Sequence, residues 1–290
     1  MTEKTSVALG LFDGIHLGHR KVLELALKNA EKGYAPAVFT FEPHTVLKKP
    51  TGCDGYIYTT AEKLRILKNM GFGCVYSPDF SNICGLSGEE FASDILAGRM
   101  NAASVCCGNN FRFGKKASCG ITELREYGEK YGFEVYVAED EFLEGTMVSS
   151  GEIRRLLTNG DITRANRLLG APYAVSAEIV TGAAIGRTIG FPTANQLFED
   201  NQLVPKFGVY RAETEIDGKI YRAMTNIGIK PTVDYGGKPL AETYISGFSG
   251  DIYGRTIQVR LLEFIRPEKK FGSVDELKKQ ITEDLQKSII

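Results

Sequence analysis

The sequence predicts an α/β protein of two domains, in which a parallel sheet covered by helices is followed by a small antiparallel barrel. Up to about residue 158, short apolar runs alternate with helical patterns, which is typical of a parallel sheet with helices on both faces. After residue 172, apolar and polar residues alternate around tight turns, as in antiparallel strands. A length of 290 residues allows two cores, so we expect domains over residues 1–158 and 159–290.

Short apolar runs predict the strands of the first domain. They are Ser6–Gly10, Pro36–Thr40, Gly73–Tyr76, Ala103–Cys107 and Phe133–Val137. Apolar residues at helical spacing predict a helix between the first two strands. The buried face expected for that helix consists of Leu23, Ala26, Leu27 and Ala30. Two Ser/Thr-x-x-Glu patterns, Thr59 with Glu62 and Ser87 with Glu90, predict further helix starts. Ligands of such sheets bind at the carboxyl ends of the strands, where we expect a site.

The pattern of the second half predicts antiparallel strands and one terminal helix. Asp217-Gly218 lies between two alternating runs and predicts a tight hairpin, and TIQVRLLEFI predicts a further strand. Ser273 and Glu276 can form a capping box before a helix that repeats apolar residues every fourth position. NGDITRANRLLG predicts a turn and a short joining helix between the halves. Such strands predict a small closed or partly closed barrel.

The composition is that of a globular protein and argues against several classes of partner. Hydrophobic residues make up 43% and charged residues 24% of the chain. A net charge of -1 provides no basic field for nucleic acid. The first twenty residues lack a signal-peptide pattern, and no apolar run approaches the roughly 18 residues that span a bilayer. We therefore expect a cytoplasmic protein with neither a nucleic-acid nor a membrane partner; the oligomeric state stays unknown.

All six cysteines lie in the first half, and none forms a Cys-x-x-Cys pair. They are Cys53, Cys74, Cys84, Cys106, Cys107 and Cys119. This spacing is typical of neither a metal site nor a disulfide framework, so we expect reduced thiols that mostly pack.

The stretch GLFDGIHLGH contains two of the three histidines, His16 and His19, directly after the first predicted strand. Its glycines (Gly10, Gly14 and Gly18) let the backbone approach a ligand, and the helix start offers N–H groups to an anion. The two histidines lie one turn apart and face the same way, so both can donate hydrogen bonds to oxygens that gain charge during transfer. The stretch predicts a polyphosphate site, with a tight turn holding two histidines as the alternative. A Walker loop is excluded because no Gly-Lys-Ser/Thr follows.

A second candidate anion site lies in VSSGEIRRLL. Ser149 and Ser150 at a helix start, with Arg154 one turn inside, can surround an anion with hydroxyl, backbone N–H and guanidinium donors. Taken alone, Ser149 with Glu152 is also explained as a simple capping box.

Two features of the second half point to phosphoryl transfer. GAAIGRTIGFPTAN is, on composition alone, a flexible loop before a strand, but its end is more specific. The Thr193 hydroxyl and the Asn195 amide can share one magnesium–phosphate site, because Mg²⁺ takes few protein oxygens together with phosphate oxygens and water. Glu242, on a predicted strand, can orient a hydroxyl group and accept its proton; an exposed strand glutamate is the alternative.

Four motifs of the first half resemble, in order, the FAD-synthetase branch of the adenylyltransferase superfamily. GLFDGIHLGH has the form Gly-x-Phe-Asp-Gly-x-His-x-Gly-His, and FEPH supplies His44, with Thr45 where the family usually has proline. GNNFRFG matches the second signature, with Asn110 at a position that is often Asp or Asn. VSSGEIRRLL resembles the Ser-Ser-Thr-x-Ile-Arg helix start, with Gly151 replacing Ser or Thr.

Four segments of the second half resemble riboflavin kinases. GFPTAN and NIGIKPT match two signatures of that family, and RPEKKF matches the loop that covers the flavin there. AETYISGFSGDIYG matches the run around the family's glutamate, with Tyr244 in place of His and Gly247 and Ser249 in place of Asp.

The resemblance covers nearly the whole chain, which is identified as a member of the bifunctional riboflavin kinase/FAD synthetase family. It implies a Rossmann-like nucleotidyltransferase domain and then a riboflavin kinase-like barrel with a terminal helix. It also implies an enzyme that phosphorylates riboflavin with ATP to FMN and transfers AMP from ATP to FMN, giving FAD and pyrophosphate. The implied metal is Mg²⁺. Two alternatives stay open: a riboflavin kinase whose adenylyltransferase half has decayed, supported by Gly151, and a flavin- or nucleotide-binding regulator without turnover.

The resemblance also implies site residues. His16 and His19 are the implied catalytic residues of adenylyl transfer, and Glu242 is the implied base of the kinase. The implied ATP- and phosphate-binding residues of the first half are Gly10, Phe12, Asp13, Gly14, Gly18, His44, Asn110, Arg112, Ser149, Ser150 and Arg154. The implied ATP- and flavin-binding residues of the second half are Gly182, Gly186, Arg187, Gly190, Phe191, Pro192, Asn195 and Arg266, with Thr193 and Asn195 as metal ligands.

Overall fold

The computed structural model describes residues 3–42, 55–181, 190–229 and 236–287. The chain divides into two compact units, Met1–Ser150 and Gly151–Ile290. A domain is defined by folding on its own as well as by compactness, so the domain border that we place after residue 158 stays a prediction.

The first unit is built on a five-stranded sheet with the order β3-β2-β1-β4-β5. The strands are β1 (Thr5–Leu9), β2 (Ala35–Phe39), β3 (Cys74–Tyr76), β4 (Ala102–Gly108) and β5 (Glu134–Ala138). All neighbouring pairs are parallel, as predicted. Every predicted strand is present, with ends displaced by at most one residue. The central strand β1 is buried along its whole length, as expected where neighbours cover both edges and helices both faces.

Helices cover both faces of this sheet. They are α1 (Leu17–Ala30), α2 (Thr60–Asn69), α3 (Gly88–Glu90), a π-helix (Phe91–Arg99) and α4 (Ile121–Tyr131). On one face, Leu23 of α1 and Leu67 of α2 pack with Ala8 of β1. On the other face, Phe91 of the π-helix and Leu124 of α4 pack with strand residues whose side chains point to that face. A two-stranded hairpin, β6 (Phe142–Leu143) and β7 (Thr146–Met147), follows β5.

The buried face of α1 differs from the predicted one. Leu27 and Ala30 are only half-buried, whereas Val22 and Asn29 are buried. The Asn29 amide donates to the buried Cys106 sulfur at 3.5 Å, which satisfies the polar group inside the unit. Apolar periodicity could not predict this position, because it treats a buried amide as a surface residue.

The predicted helix starts are present in the first unit. At the start of α2, Thr59 Oγ1 accepts a hydrogen bond from the Glu62 N–H at 3.2 Å. At α3, Ser87 and Glu90 form the complete capping box, with distances of 3.2 and 2.7 Å. Both helices therefore begin where the Ser/Thr-x-x-Glu pattern predicts.

The described cysteines are free thiols. These are Cys74, Cys84, Cys106, Cys107 and Cys119. Cys106 and Cys107 are buried in β4, and burial raises the pKa of their thiols to about 11 and about 12. They are therefore protonated at neutral pH and act as small packing groups.

Six antiparallel strands close into a barrel in the second unit, with the order β10-β11-β12-β9-β8-β13. They are β8 (Tyr173–Val180), β9 (Thr193–Leu197), β10 (Gly208–Ile216), β11 (Lys219–Ile229), β12 (Pro239–Ile245) and β13 (Thr256–Arg266). The predicted hairpin is confirmed: Asp217 and Gly218, with φ of 52° and 76°, join β10 to β11. Nine residue pairs connect β10 and β11. Only two pairs, Ile179–Gln196 and Val180–Asn195, connect β8 and β9 in the described ranges.

Three further α-helices follow β7 in the chain: α5 (Ser150–Asn159), α6 (Ile162–Leu169) and α7 (Val274–Lys287). The joining helix α6 is capped by Asp161 and ends at Gly170, with φ of 71°. Before α7, Ser273 Oγ accepts from the Glu276 N–H at 3.2 Å, but the Glu276 carboxylate accepts from the Gly272 N–H at 2.9 Å. The carboxylate half of the predicted capping box is thus made one residue earlier than expected.

Candidate active sites

The turn after β1 has a strained backbone. Phe12 and Ile15 have left-handed φ values of 51° and 41°, and Gly14 has a φ of 85°. A β-branched residue such as isoleucine seldom adopts such a φ. The Ile15 N–H donates to the Phe12 carbonyl oxygen at 3.3 Å. Both side chains are fully buried, so core packing holds this turn in its conformation.

His16 and His19 stack on each other at the start of α1. Their ring centroids are 3.6 Å apart and their planes differ by 17°, which confirms that the two rings face the same way. His16 is also the N-cap, because its Nδ1 accepts a hydrogen bond from the His19 N–H at 3.2 Å. Since Nδ1 accepts, a neutral His16 carries its proton on Nε2, which is then a donor. The Phe12 ring contacts the His19 ring edge-on, with centroids 5.4 Å apart.

The three glycines of this stretch have different causes. A Cβ on Gly10 would lie 2.9 Å from the Phe12 ring, so the packing of that ring requires glycine there. Gly14 is required by its left-handed φ. A Cβ on Gly18 would lie 3.4 Å from the His16 ring and 3.6 Å from the Val148 carbonyl oxygen, which are ordinary contact distances. The fold therefore does not itself require glycine at residue 18, where close approach of a ligand is predicted.

The histidine turn contacts the second predicted anion-binding motif. Asp13 is buried, and its Oδ1 accepts from the Ile57 N–H at 2.9 Å. Ser150 Oγ, at the start of α5, donates to the Asp13 carbonyl oxygen at 2.9 Å. The hydroxyl motif of Ser149 and Ser150 thus lies beside the histidine turn. Arg154 lies one helical turn further along α5, in the second unit.

Three buried polar side chains near this turn were missed by sequence reasoning. Tyr58, Glu62 and Lys63 are 6%, 4% and 3% exposed. Glu62 accepts two hydrogen bonds from Arg65, at 2.9 and 2.7 Å, whereas Lys63 Nζ contacts the Leu11 carbonyl oxygen directly before the turn. Burial raises the pKa of Tyr58 and lowers that of Lys63 to about 8. The Ser/Thr-x-x-Glu pattern was the available signal, and it predicts a helix start without indicating which side chains are buried.

Asn110 and Arg112 lie exposed in the segment after β4. Arg112 donates from Nε and Nη2 to the Ala117 carbonyl oxygen, at 3.1 and 3.0 Å. Lys116 and Ala117 have left-handed φ values of 58° and 57°, so these hydrogen bonds support a strained turn. Arg112 thus has a local structural role, and its role in ATP binding stays a prediction. The predicted site residue His44 lies outside the described residues.

The second candidate site lies on the neighbouring strands β9 and β12. Thr193 Oγ1 donates to Glu242 Oε1 at 2.8 Å, so the hydroxyl and carboxylate predicted to act at one site are in contact. Both side chains are half-buried. In the ladder, Glu242 pairs with Asn195 on one side and with Asn226 of β11 on the other. Since paired residues share a face of the sheet, these polar side chains line the same side.

The side-chain oxygen of Asn195 indicates whether a metal fits this site. The Asn195 side chain is 4% exposed, and its buried Oδ1 has no hydrogen-bond donor among the described residues. Leaving such an oxygen unsatisfied costs about 1–3 kcal/mol, so a ligand that bonds to it gains this free energy back. The hydroxyl of Thr193 and the amide oxygen of Asn195 are hard oxygen ligands of the type that Mg²⁺ prefers. These residues therefore fit a magnesium–phosphate site. Across the described ranges, no group of three or more His, Cys, Asp or Glu residues is arranged to hold a metal ion.

The segment before β9 carries an aromatic contact beside the site. Gly190 has a φ of 87°, and the Phe191 ring contacts Tyr244 edge-on, with centroids 5.4 Å apart. Tyr244, which stands where the family has His, pairs with Thr193 in the ladder and therefore borders the site. Pro192 is exposed. Further predicted residues, namely Gly182, Gly186 and Arg187, and the end of the NIGIKPT segment lie outside the described residues.

Arg266 forms an ion pair that the sequence did not reveal. Its Nε and Nη2 both donate to Asp284 Oδ2, at 2.9 and 2.7 Å, and Asp284 is fully buried. The other oxygen of Asp284 accepts from Gln280 at 3.0 Å, and Arg266 Nη1 donates to the Pro267 carbonyl oxygen at 3.1 Å. The guanidinium thus attaches α7 to the end of β13, and its predicted contact with ATP or flavin stays a prediction.

Two family models match the chain one after the other. The FAD synthetase model matches residues 1–152, and the riboflavin kinase model matches residues 169–289. The bifunctional riboflavin kinase/FMN adenylyltransferase of Listeria monocytogenes is 34% identical over 284 residues, which cover 97% of this chain and 90% of the relative. This chain belongs to that family.

Other members and one solved structure agree with this family. The bifunctional riboflavin kinase/FMN adenylyltransferase of Escherichia coli is 35% identical over 282 residues, covering 96% of this chain and 90% of the relative. A solved structure from Streptococcus pneumoniae, described as a macrolide-efflux protein, has 34% identity and a TM-score of 0.84, covering 99% of this chain and 94% of its own. In the described part of this bifunctional-family chain, no helix has the length and hydrophobicity needed to cross a bilayer. The predicted family and fold class are confirmed.

Proposed function

We propose that this chain performs both reactions of its family at two separate sites. The second unit phosphorylates riboflavin with ATP to FMN, and the first unit transfers AMP from ATP to FMN, giving FAD and pyrophosphate. The observation that carries the proposal is that each unit has the reacting side chains of its motif in contact. In the first unit these are the stacked rings of His16 and His19, and in the second they are Thr193 and Glu242.

In the kinase reaction, Glu242 orients the attacking hydroxyl group of the ribityl chain and accepts its proton. Its Oε1 accepts a hydrogen bond from the Thr193 hydroxyl at 2.8 Å, which helps to fix the orientation of the carboxylate. Thr193 and Asn195 hold Mg²⁺, and the otherwise unsatisfied Asn195 Oδ1 supports this assignment. When bound, the ion supplies charge neutralisation for the phosphates of ATP.

In the adenylyl transfer, His16 and His19 donate hydrogen bonds to the phosphate oxygens that gain charge. The His16 Nδ1 bond to the His19 backbone supports this role, because it directs the proton to Nε2. The start of α1 adds backbone N–H groups, and the hydroxyls of Ser149 and Ser150 extend the anion site of the first unit. Anion binding by Arg154 stays a prediction.

The proposed partners are small molecules: ATP, riboflavin, FMN and FAD. The net charge of -1 supports the proposal that no nucleic acid binds. A cytoplasmic location without a membrane partner is likewise proposed, and it accords with the substrates.

One incubation of the purified chain with riboflavin, ATP and magnesium tests the proposed function. Formation of FAD supports both sites, and formation of FMN alone supports the kinase with an inactive adenylyltransferase half. In that case Gly151, which lacks the hydroxyl usual in the family, is the first position to restore. A folded protein that forms neither product contradicts the proposal. A parallel incubation with FMN in place of riboflavin measures the adenylyl transfer independently of the kinase.

A further inference from the structure

Lys63 is a buried cation whose hydrogen bonds, within the described ranges of the chain, all go to neutral oxygens. It lies in the first turns of α2, and its side chain is 3% exposed. Its Nζ donates to the Phe41 carbonyl oxygen at 2.7 Å, to Thr40 Oγ1 at 3.1 Å and to the Leu11 carbonyl oxygen at 3.4 Å. An ammonium group has three N–H donors, and three acceptors surround it. Lysine side chains are seldom buried without an ion-pair partner, so burial of Lys63 is unusual.

The acceptors of Lys63 belong to the ends of two neighbouring strands. The β1–β2 ladder ends at Leu9 and Phe39, and a last backbone bond runs from the Gly10 N–H to the Phe39 carbonyl oxygen at 3.2 Å. Beyond this bond, the segment after β1 leads to the histidine turn, and the segment after β2 contains Thr40 and Phe41. Lys63 Nζ donates to both of these segments, and Thr40 Oγ1 connects them by donating to the Leu11 carbonyl oxygen at 2.9 Å. Lys63 and Thr40 therefore continue the connection where the ladder stops.

The chemistry of this arrangement is costly for packing alone. Burial opposes the charge of the ammonium group and lowers its pKa to about 8, while the carboxylates of Asp13 and Glu42 oppose that shift. An apolar residue of similar length would fill the same space without desolvating a charge. A buried ammonium group can hold carbonyl oxygens at strand ends in fixed positions, because each of its N–H groups forms a hydrogen bond to one acceptor in a defined direction.

We propose that Lys63 is a positioning residue for adenylyl transfer, whose three hydrogen bonds fix the segments after β1 and β2 against each other. The inference rests on the proposed function of the first unit. The segment after β1 contains Phe12 and Asp13 and leads to His16, so a shift at Leu11 displaces the phosphate-binding groups. Displacements of about 1 Å can lower a rate by about 10².

The test compares Lys63→Met with the matched control Lys68→Met, which alters an exposed lysine of the same helix. For each protein, kcat and the KM for ATP are measured in FMN-to-FAD conversion, with riboflavin-to-FMN conversion as an internal control. Lys63→Met should lower the kcat of FAD formation by at least about 10-fold, measured at a temperature at which thermal unfolding shows the variant to be folded. The kinase rate and both rates of Lys68→Met should be unchanged. A merely structural lysine would lower stability and leave the kcat of the folded protein at the parent value.

A second variant keeps the inference testable if Lys63→Met does not fold. Thr40→Val removes the hydroxyl that Lys63 and Leu11 share while preserving the shape of the side chain. It should lower FAD formation by about 3–10-fold, and its effect should be less than additive with that of Lys63→Met, because both changes break one network. A parent rate of FAD formation in folded Lys63→Met, or in Thr40→Val, overturns the inference and leaves the proposed function intact. If the unaltered chain forms no FAD from FMN, the proposed function fails and this inference with it.

Discussion

Replacement of His16 separates two roles that one imidazole combines. The ring caps α1 by accepting the His19 N–H at 3.2 Å, and its Nε2 is proposed to donate to ATP phosphate oxygens. His16→Asn retains an oxygen that can accept the His19 N–H, because asparagine is among the preferred N-cap residues. His16→Ala removes the acceptor as well as the ring. Both variants lose the stacking on His19, so the difference between them isolates the cap.

The expected magnitudes follow from these contacts. Loss of the cap costs about 1 kcal/mol, which lowers the melting temperature of a unit of about 150 residues by about 2–4 °C. Loss of one preorganised donor slows the reaction by about 10²–10³, or about 2.7–4 kcal/mol of activation free energy. Both variants should therefore lose FAD formation to a similar extent, and His16→Ala should melt below His16→Asn.

The assay follows FMN-to-FAD and riboflavin-to-FMN conversion by chromatography in one sample of each variant, together with thermal unfolding. The kinase rate reports on the second unit and should stay at the parent value. If His16→Asn forms FAD at the parent rate, the imidazole donor has no part in catalysis. If the two variants melt at the same temperature, the N-cap contributes nothing measurable.

Three further predictions concern the proposed base of the kinase, the metal and the Arg266–Asp284 ion pair. Glu242→Gln retains an oxygen for the Thr193 hydroxyl but removes the proposed base. FMN formation should therefore slow by about 10²–10⁴, while FMN-to-FAD conversion stays unchanged. Equal loss of both rates in a folded sample would show that the two sites are not independent. Both activities should require magnesium and survive a zinc-selective chelator, and loss that only zinc restores would refute the metal assignment. Asp284→Ala should lower the free energy of unfolding of the barrel by about 3 kcal/mol, because it leaves the Arg266 guanidinium unpaired. A change below about 1 kcal/mol in urea unfolding would contradict a stabilising role for this ion pair.

The architecture could be predicted because its signals are local. Five short apolar runs predicted the parallel sheet, and the Asp217-Gly218 turn predicted the hairpin of the barrel. Each signal depends on residues that are neighbours in sequence, where steric preference and alternation act directly. The buried face of α1 was predicted less well, since burial of Asn29 depends on the Cys106 sulfur, 77 positions away.

The candidate sites were predicted in their motifs but not in their supporting contacts. His16 and His19 were predicted to share a helix face from their spacing, and the contact between Thr193 and Glu242 agrees with their predicted roles. The burial of Lys63 could not be predicted, because a lysine in a helical pattern normally lies at the surface. Arg266 was assigned to ligand binding, and its ion pair with Asp284 depends on how α7 packs, which no local pattern encodes.

Among the described residues, β8 and β9 are connected by two ladder pairs, and this has a consequence for how the barrel fluctuates. Local opening requires least free energy where the fewest ladder pairs must separate, so amide hydrogen exchange should be fastest along Ile179–Gln196 and Val180–Asn195. By contrast, β9 and β12 share five pairs, and these carry Thr193 and Glu242. Separation of β8 from β9 would therefore leave the distance between the Thr193 hydroxyl and the Glu242 carboxylate unchanged. The contact between Thr193 and Glu242 thus lies in the more rigid part of the barrel, and Asn195 lies between the more rigid and the less rigid parts.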